Sequence, residues 1–115
     1  MRRTRSAAFG AALLCVVAAG CAQPGAAAET PADTATVDLP PSYRFAPATI
    51  RVTRGTSVTW TNHDNFTHTV QVTGQPDVHQ MRPGESTRIT FNTPGEYPYV
   101  CTLHTQNMRG TVTVT

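Results

Sequence analysis

Pro94-Gly95-Glu96-Tyr97-Pro98-Tyr99-Val100-Cys101 opens on a turn dipeptide and then places Tyr97, Tyr99 and Cys101 two apart. Alternation of this kind is the period of a strand with one buried face, so Cys101 is expected to point inward with the tyrosines. The same period recurs elsewhere. Ile50/Val52, Val58/Trp60, Val70/Val72, Ile89/Phe91 and Val112/Val114 are apolar pairs two apart, each separated by Arg, Thr or Gln. Turn residues divide them at Arg54-Gly55, Asn62 to Asn65, Thr73 to Pro76 and Pro83-Gly84,. No segment carries a helical repeat, and Val37 is expected to begin an early strand. Short strands at this spacing predict an all-β fold, an antiparallel Greek-key sandwich or barrel.

Past Cys101 the chain continues Thr102-Leu103-His104-Thr105-Gln106-Asn107-Met108, adding an imidazole and a thioether to the thiol on one short loop. His68 lies well upstream, so it must arrive from a different strand end. Two His, one Cys and a Met form a soft, low-coordination donor set that suits copper in both oxidation states and marks electron-transfer sites. Cys101 is expected to bind as thiolate, because a bound cation displaces the thiol proton. His68 and His104 supply nitrogen donors, and Met108 a weak, long axial contact. Taken singly, Met108 would be core filler and His68 a hydrogen-bonded structural histidine. In combination with Cys101 they point to one copper per chain. His63, in the polar turn Asn62-His63-Asp64-Asn65, reads as solvated. His79, with Met81 two residues on, reads as part of a loop, and Trp60 as core.

The 115 residues leave room for one domain,. Arg2, Arg3 and Arg5 form a basic start, followed by a largely apolar run from Ala7 to Ala19 and the small residues before Cys21. This is the layout of a secretory signal over residues 1 to 20, and the run is shorter than the roughly 20 residues needed to span a bilayer. Two outcomes are open: Cys21 becomes a lipidated first residue, or a cut after Ala28 releases a soluble protein. Residues 21 to 35, built of Ala, Pro, Thr, Gly and acids, read as a flexible tether, with the domain over 36 to 115,.

Three of the nine Arg and Lys residues leave with the signal while all seven acids stay, which turns a net charge of +2 slightly negative. No basic cluster remains to track phosphates, so nucleic acid is not an expected partner. Cys15 and Cys21 fall in the signal and at its end, which leaves Cys101 as the domain's one cysteine. An exported domain with a lone thiol forms no internal disulfide, and metal ligation both uses and protects that thiol.

Phe45-Ala46-Pro47-Ala48-Thr49-Ile50-Arg51-Val52, Gly55-Thr56-Ser57-Val58-Thr59-Trp60-Thr61-Asn62, His68-Thr69-Val70 and Pro94-Gly95-Glu96-Tyr97 lead in order to the Cys101 loop. In content and order these blocks resemble a cupredoxin of the small plastocyanin and amicyanin type. The resemblance implies a type 1 (blue) copper protein with His68, Cys101, His104 and Met108 as ligands, and an electron port at the His104 edge ringed by apolar residues such as Phe66 and Leu103. Three residues separate His104 from Met108, one more than in amicyanin-like loops and one fewer than in plastocyanin-like loops. Thr69 stands where plastocyanins commonly carry Asn, and Asn62 is a candidate to supply the hydrogen bond that braces the two ligand segments.

The leading expectation is therefore a monomeric one-electron carrier outside the cytoplasmic membrane. It docks transiently to redox proteins near His104, over a small area, and touches the membrane only through a lipid anchor. The alternative is copper binding, delivery or sensing with the same ligands. Catalysis is not expected, because a second copper centre needs more histidines than His63 and His79 supply.

Overall fold

In the computed structural model, which describes residues 30–115, every period-two pair of the sequence lies in a strand. The expected signal, Cys21 and most of the expected tether lie outside the described residues. The strands are β1 (Ala32–Asp33), β2 (Thr36–Leu39), β3 (Thr49–Val52), β4 (Thr56–Asn62), β5 (His68–Val72), β6 (His79–Met81), β7 (Ser86–Phe91), β8 (Gly95–Val100) and β9 (Arg109–Val114). One sheet has the order β1-β3-β9-β8-β5-β6 and the other β2-β4-β7.

The sandwich is all-β, as alternation requires, but its sheets are mixed. β1 with β3, β3 with β9, and β2 with β4 pair in parallel, whereas the remaining pairs are antiparallel. Strands joined by tight turns must run antiparallel. β3 belongs to the other sheet from β2 and β4, so the chain crosses over between them and the constraint lapses. Two short strands also depart from expectation. Ala32–Asp33, inside the stretch expected as tether, pairs with β3, and Arg51 grips Asp33 through both carboxylate oxygens at 2.9 and 3.1 Å. His79–Met81, expected as loop, pairs with β5, with Met81 fully buried opposite His68. β1 and β6 are the outer strands of the larger sheet.

Tyr99 and Trp60 anchor the core between the sheets. Tyr99 meets Trp60 edge-on at 5.3 Å and Phe45 at 4.8 Å, contacts worth about 0.5–1.5 kcal/mol each beyond the area they bury. Its hydroxyl donates to the Ala48 carbonyl at 2.9 Å, and burial pushes its ionisation well above the usual phenol range. Only glycine fits beside it: a Cβ on Gly110 would stand 2.2 Å from both the Ala48 carbonyl and the Tyr99 hydroxyl. Two positions before Cys101, β8 is thus clamped against the chain entering β3.

Between β2 and Phe45 the chain turns through Pro40-Pro41-Ser42-Tyr43. Ser42 and Tyr43 have φ of 92° and 55°. Left-handed backbone at a residue with a side chain costs on the order of 1–3 kcal/mol. An antiparallel bridge between Asp38 and Ala46 closes this turn, its two N–H to carbonyl bonds both 2.8 Å.

Candidate metal centre

Strand register brings the donor residues to one end of the sandwich. β5 and β8 pair antiparallel, Gln71 opposite Val100 and Val72 opposite Tyr99. Continued outward, the same register sets Thr69 beside Thr102 and leaves His68 facing the Cys101 loop. β8 and β9 pair with Val100 opposite Arg109, and one step further Cys101 donates its N–H to the Met108 carbonyl at 3.1 Å. The loop between is closed by turns: His104 N–H to the Cys101 carbonyl at 3.2 Å, and Met108 N–H to the His104 carbonyl at 3.0 Å.

His68, Cys101 and His104 converge, with one donor atom from each all lying within 4.8 Å of one another. His68 Nδ1 is 3.9 Å and His104 Nδ1 3.7 Å from Cys101 Sγ. A metal–sulfur bond of about 2.3 Å and a metal–nitrogen bond of about 2.0 Å, opened to a trigonal angle, separate the two donors by about 3.7 Å. The two sulfur–nitrogen separations are already close to those of a trigonal site. Cys101 and His68 are buried and His104 is partly exposed. Met108, the fourth expected residue, is fully buried at the end of the loop.

Two groups outside the donor set fix its chemistry. Asp64 Oδ2 lies 2.8 Å from His68 Nε2. With the Nε2 proton donated there, Nδ1 keeps its lone pair for the side that faces Cys101. The turn that carries Asp64 is built from its own side chains: Asn62 Oδ1 accepts the Asp64 N–H at 2.9 Å, and Asp64 Oδ1 accepts the Asn65 N–H at 2.7 Å,. The hydrogen bond to His68 is the main cause holding the Asp64 carboxyl below the usual carboxylate range. It acts against burial and is helped by the Asn65 N–H and by the two histidines. Thr69 is the second group. Its N–H points at Cys101 Sγ at 3.4 Å, while its hydroxyl accepts the Thr102 N–H at 2.8 Å and meets the Thr102 hydroxyl at 2.7 Å.

The hydrogen bonds between the two ligand segments therefore come from Thr69. Asn62 works elsewhere: its amide donates to the Phe66 carbonyl at 2.7 Å and the Met81 carbonyl at 3.1 Å, tying the loop before β5 to β6. His63 is exposed and pairs with Asp38, and His79 lies outside the converging group. Phe66 and Leu103 are 55% and 57% exposed, the most exposed large apolar side chains described. Sequence reasoning missed Asp64 and Tyr43. Asp64 was findable, since Asn62-His63-Asp64 is an Asx-turn pattern that ends four residues before His68. Tyr43, whose ring lies against both histidines, carried no such signal.

A β-sandwich presenting a thiol and two imidazoles at one end is a holder for a single soft cation. Comparison with known proteins makes this specific: the cupredoxin-like domain family matches residues 11–114, and the chain belongs to it. Amicyanin-alpha of Methylorubrum extorquens is 33% identical over 119 residues, spanning 96% of this chain and 98% of that one. The chloroplastic plastocyanin of Tetradesmus obliquus is 36% identical over 72 residues, 52% of this chain and 50% of that one. Among solved structures, a purple cupredoxin from Nitrosopumilus maritimus matches with a TM-score of 0.65 at 26% identity, covering 71% of this chain and all of that one. The Cu(I) form of an amicyanin variant matches with a TM-score of 0.64 at 28% identity, covering 76% and 87%. The family binds one copper, and the donors here fit it in type and spacing,.

Proposed function

We propose that this chain is a mononuclear type 1 copper protein that carries single electrons outside the cytoplasmic membrane. The observation that supports this most directly is the pair of imidazoles turned with Nδ1 toward one buried sulfur, at 3.9 and 3.7 Å. Copper, when bound, supplies the one-electron couple. Cys101 would hold it as a thiolate whose charge the Thr69 N–H offsets, with His68 and His104 as nitrogen donors and Met108 as a weaker sulfur donor,. Because register and the Asp64 and Thr69 bonds set the donors in advance, the site need rearrange little between oxidation states.

His104 is the ligand nearest solvent, and the apolar side chains of Phe66 and Leu103 suit brief docking of a redox partner over a small area. Export rests on the basic start and the apolar run, and the choice between a Cys21 lipid anchor and a free carrier rests on where the signal is cut,.

The test is the visible and EPR spectrum of the mature chain loaded with Cu(II), with Cys101→Ser beside it. An intense blue band and a narrow copper hyperfine splitting are expected, both lost in the variant. Ordinary tetragonal Cu(II), indifferent to the substitution, would sink the proposal. Fast electron self-exchange with retained copper separates the carrier from a copper-delivery protein, which would release its metal readily to a competitor.

A further inference from the structure

His68 and His104 are held by different means. His68 has the Asp64 carboxylate on Nε2. Among the described residues, the His104 ring makes no hydrogen bond beyond its contact with Cys101 Sγ. Metal-binding histidines are as a rule oriented by a partner on the far side of the ring. What His104 has instead is an aromatic face.

The Tyr43 ring centroid lies 4.5 Å from that of His104, tilted by 56°, and 5.7 Å from that of His68 at 87°. Phe66 stacks on Tyr43 at 5.5 Å, backing it from the side. The Tyr43 hydroxyl has no hydrogen-bond partner among the described residues, so the contact belongs to the ring. Reaching this position requires two consecutive non-glycine residues at positive φ, Ser42 and Tyr43. Backbone of that kind persists only where the surroundings over-determine it, and such positions cluster at functional sites. Here the ring contacts and the Asp38–Ala46 bridge do so.

We propose that Tyr43 is a positioning residue: its ring clamps the His104 imidazole in its ligating orientation and covers the gap between the two histidines, so that copper leaves slowly. Its role toward copper rests on the function proposed above, whereas its hold on the His104 ring does not. Removing the ring frees His104 to turn toward solvent without touching any donor atom.

The experiment loads wild type, Tyr43→Phe and Tyr43→Ala with copper, reduces them, and follows transfer of Cu(I) to excess bathocuproine disulfonate. Two lost ring contacts correspond to release roughly tenfold faster in Tyr43→Ala, with Tyr43→Phe within about twofold of wild type, since it keeps the π face. Release from Tyr43→Ala at the wild-type rate overturns the clamp, as does Tyr43→Phe releasing as fast as Tyr43→Ala. Should Tyr43→Ala fail to fold, Tyr43→Leu, which keeps bulk without a π face, takes its place with the same expectation. A second readout uses the metal-free protein, where NMR of the His104 ring is expected to report one orientation in wild type and Tyr43→Phe and several in Tyr43→Ala. If copper loading gives no blue band, the function proposed above fails, and the metal-free readout alone decides the clamp. A single His104 orientation in metal-free Tyr43→Ala overturns it.

Discussion

The start of β5 and the loop from Cys101 to Met108 meet at one point but are held in opposite ways. His68 sits in a ladder, opposite Met81, wholly buried and bonded to Asp64. The loop is held by turn bonds, its Cys101–Met108 closure and the Thr69–Thr102 pair, and Leu103, Thr105, Gln106 and Asn107 face solvent. One side of the site is therefore part of the sandwich, and the other is laid onto it. His104, the partly exposed one of the three converging side chains, lies on the laid-on side and is reached from solvent without opening the core.

The largest test removes the fixed side's orienting group. Asn at position 64 offers one acceptor oxygen where His68 Nε2 and the Asn65 N–H both need one, and it carries no charge. Asp64→Asn is expected to weaken copper binding about 10–100-fold, read by competition with a chelator of known affinity. An unchanged dissociation constant would mean that the ladder alone orients His68.

Thr69→Val cuts the link between the two segments while preserving shape. It leaves the Thr102 N–H without its acceptor, which costs about 1–2 kcal/mol. In urea denaturation of the metal-free protein the midpoint should fall with the slope unchanged. A midpoint equal to wild type would show that the loop holds itself.

The smallest effect lies at the other edge of the sheet. Hydrogen bonds from Arg51, reinforced by its charge, hold the Asp33 carboxyl below its ordinary value of 3.8. The contribution of this pair to folding is complete above that value and disappears as the pH falls through the lower folded-state value. Both groups are exposed, so the effect is small and weakens with salt. Amide exchange in β1 is expected to quicken in acid in wild type but to be pH-indifferent, beyond intrinsic rates, in Asp33→Asn. The copper spectrum of that variant should match wild type, and a shifted spectrum would show that the two edges are coupled.

Alternation made most strands legible, because a strand with one buried face writes its period into the sequence: β3, β4, β5, β7, β8 and β9 each carry a visible pair. β1 and β6 were not legible, since two or three residues cannot display a period and β6 buries only Met81. Parallel pairing was equally hidden, being set by crossovers rather than by any strand's own residues. At the site, His68, Cys101 and His104 could be read because their side chains carry the chemistry. Tyr43 could not, because its place depends on backbone dihedrals that Pro40-Pro41-Ser42 does not encode in any recognised turn pattern. Thr69 was legible as a neighbour of His68, though not as the link to Thr102, which only the β5–β8 register creates.

The larger sheet ends on both sides in its shortest strands, β1 with two residues and β6 with three. An unpaired strand edge is a template on which another chain can add itself, and its hazard grows with its length. Here a neighbouring molecule meets only a few free backbone groups at either rim. At these two rims another copy finds little backbone on which to add a strand, and encounters there are left to side chains.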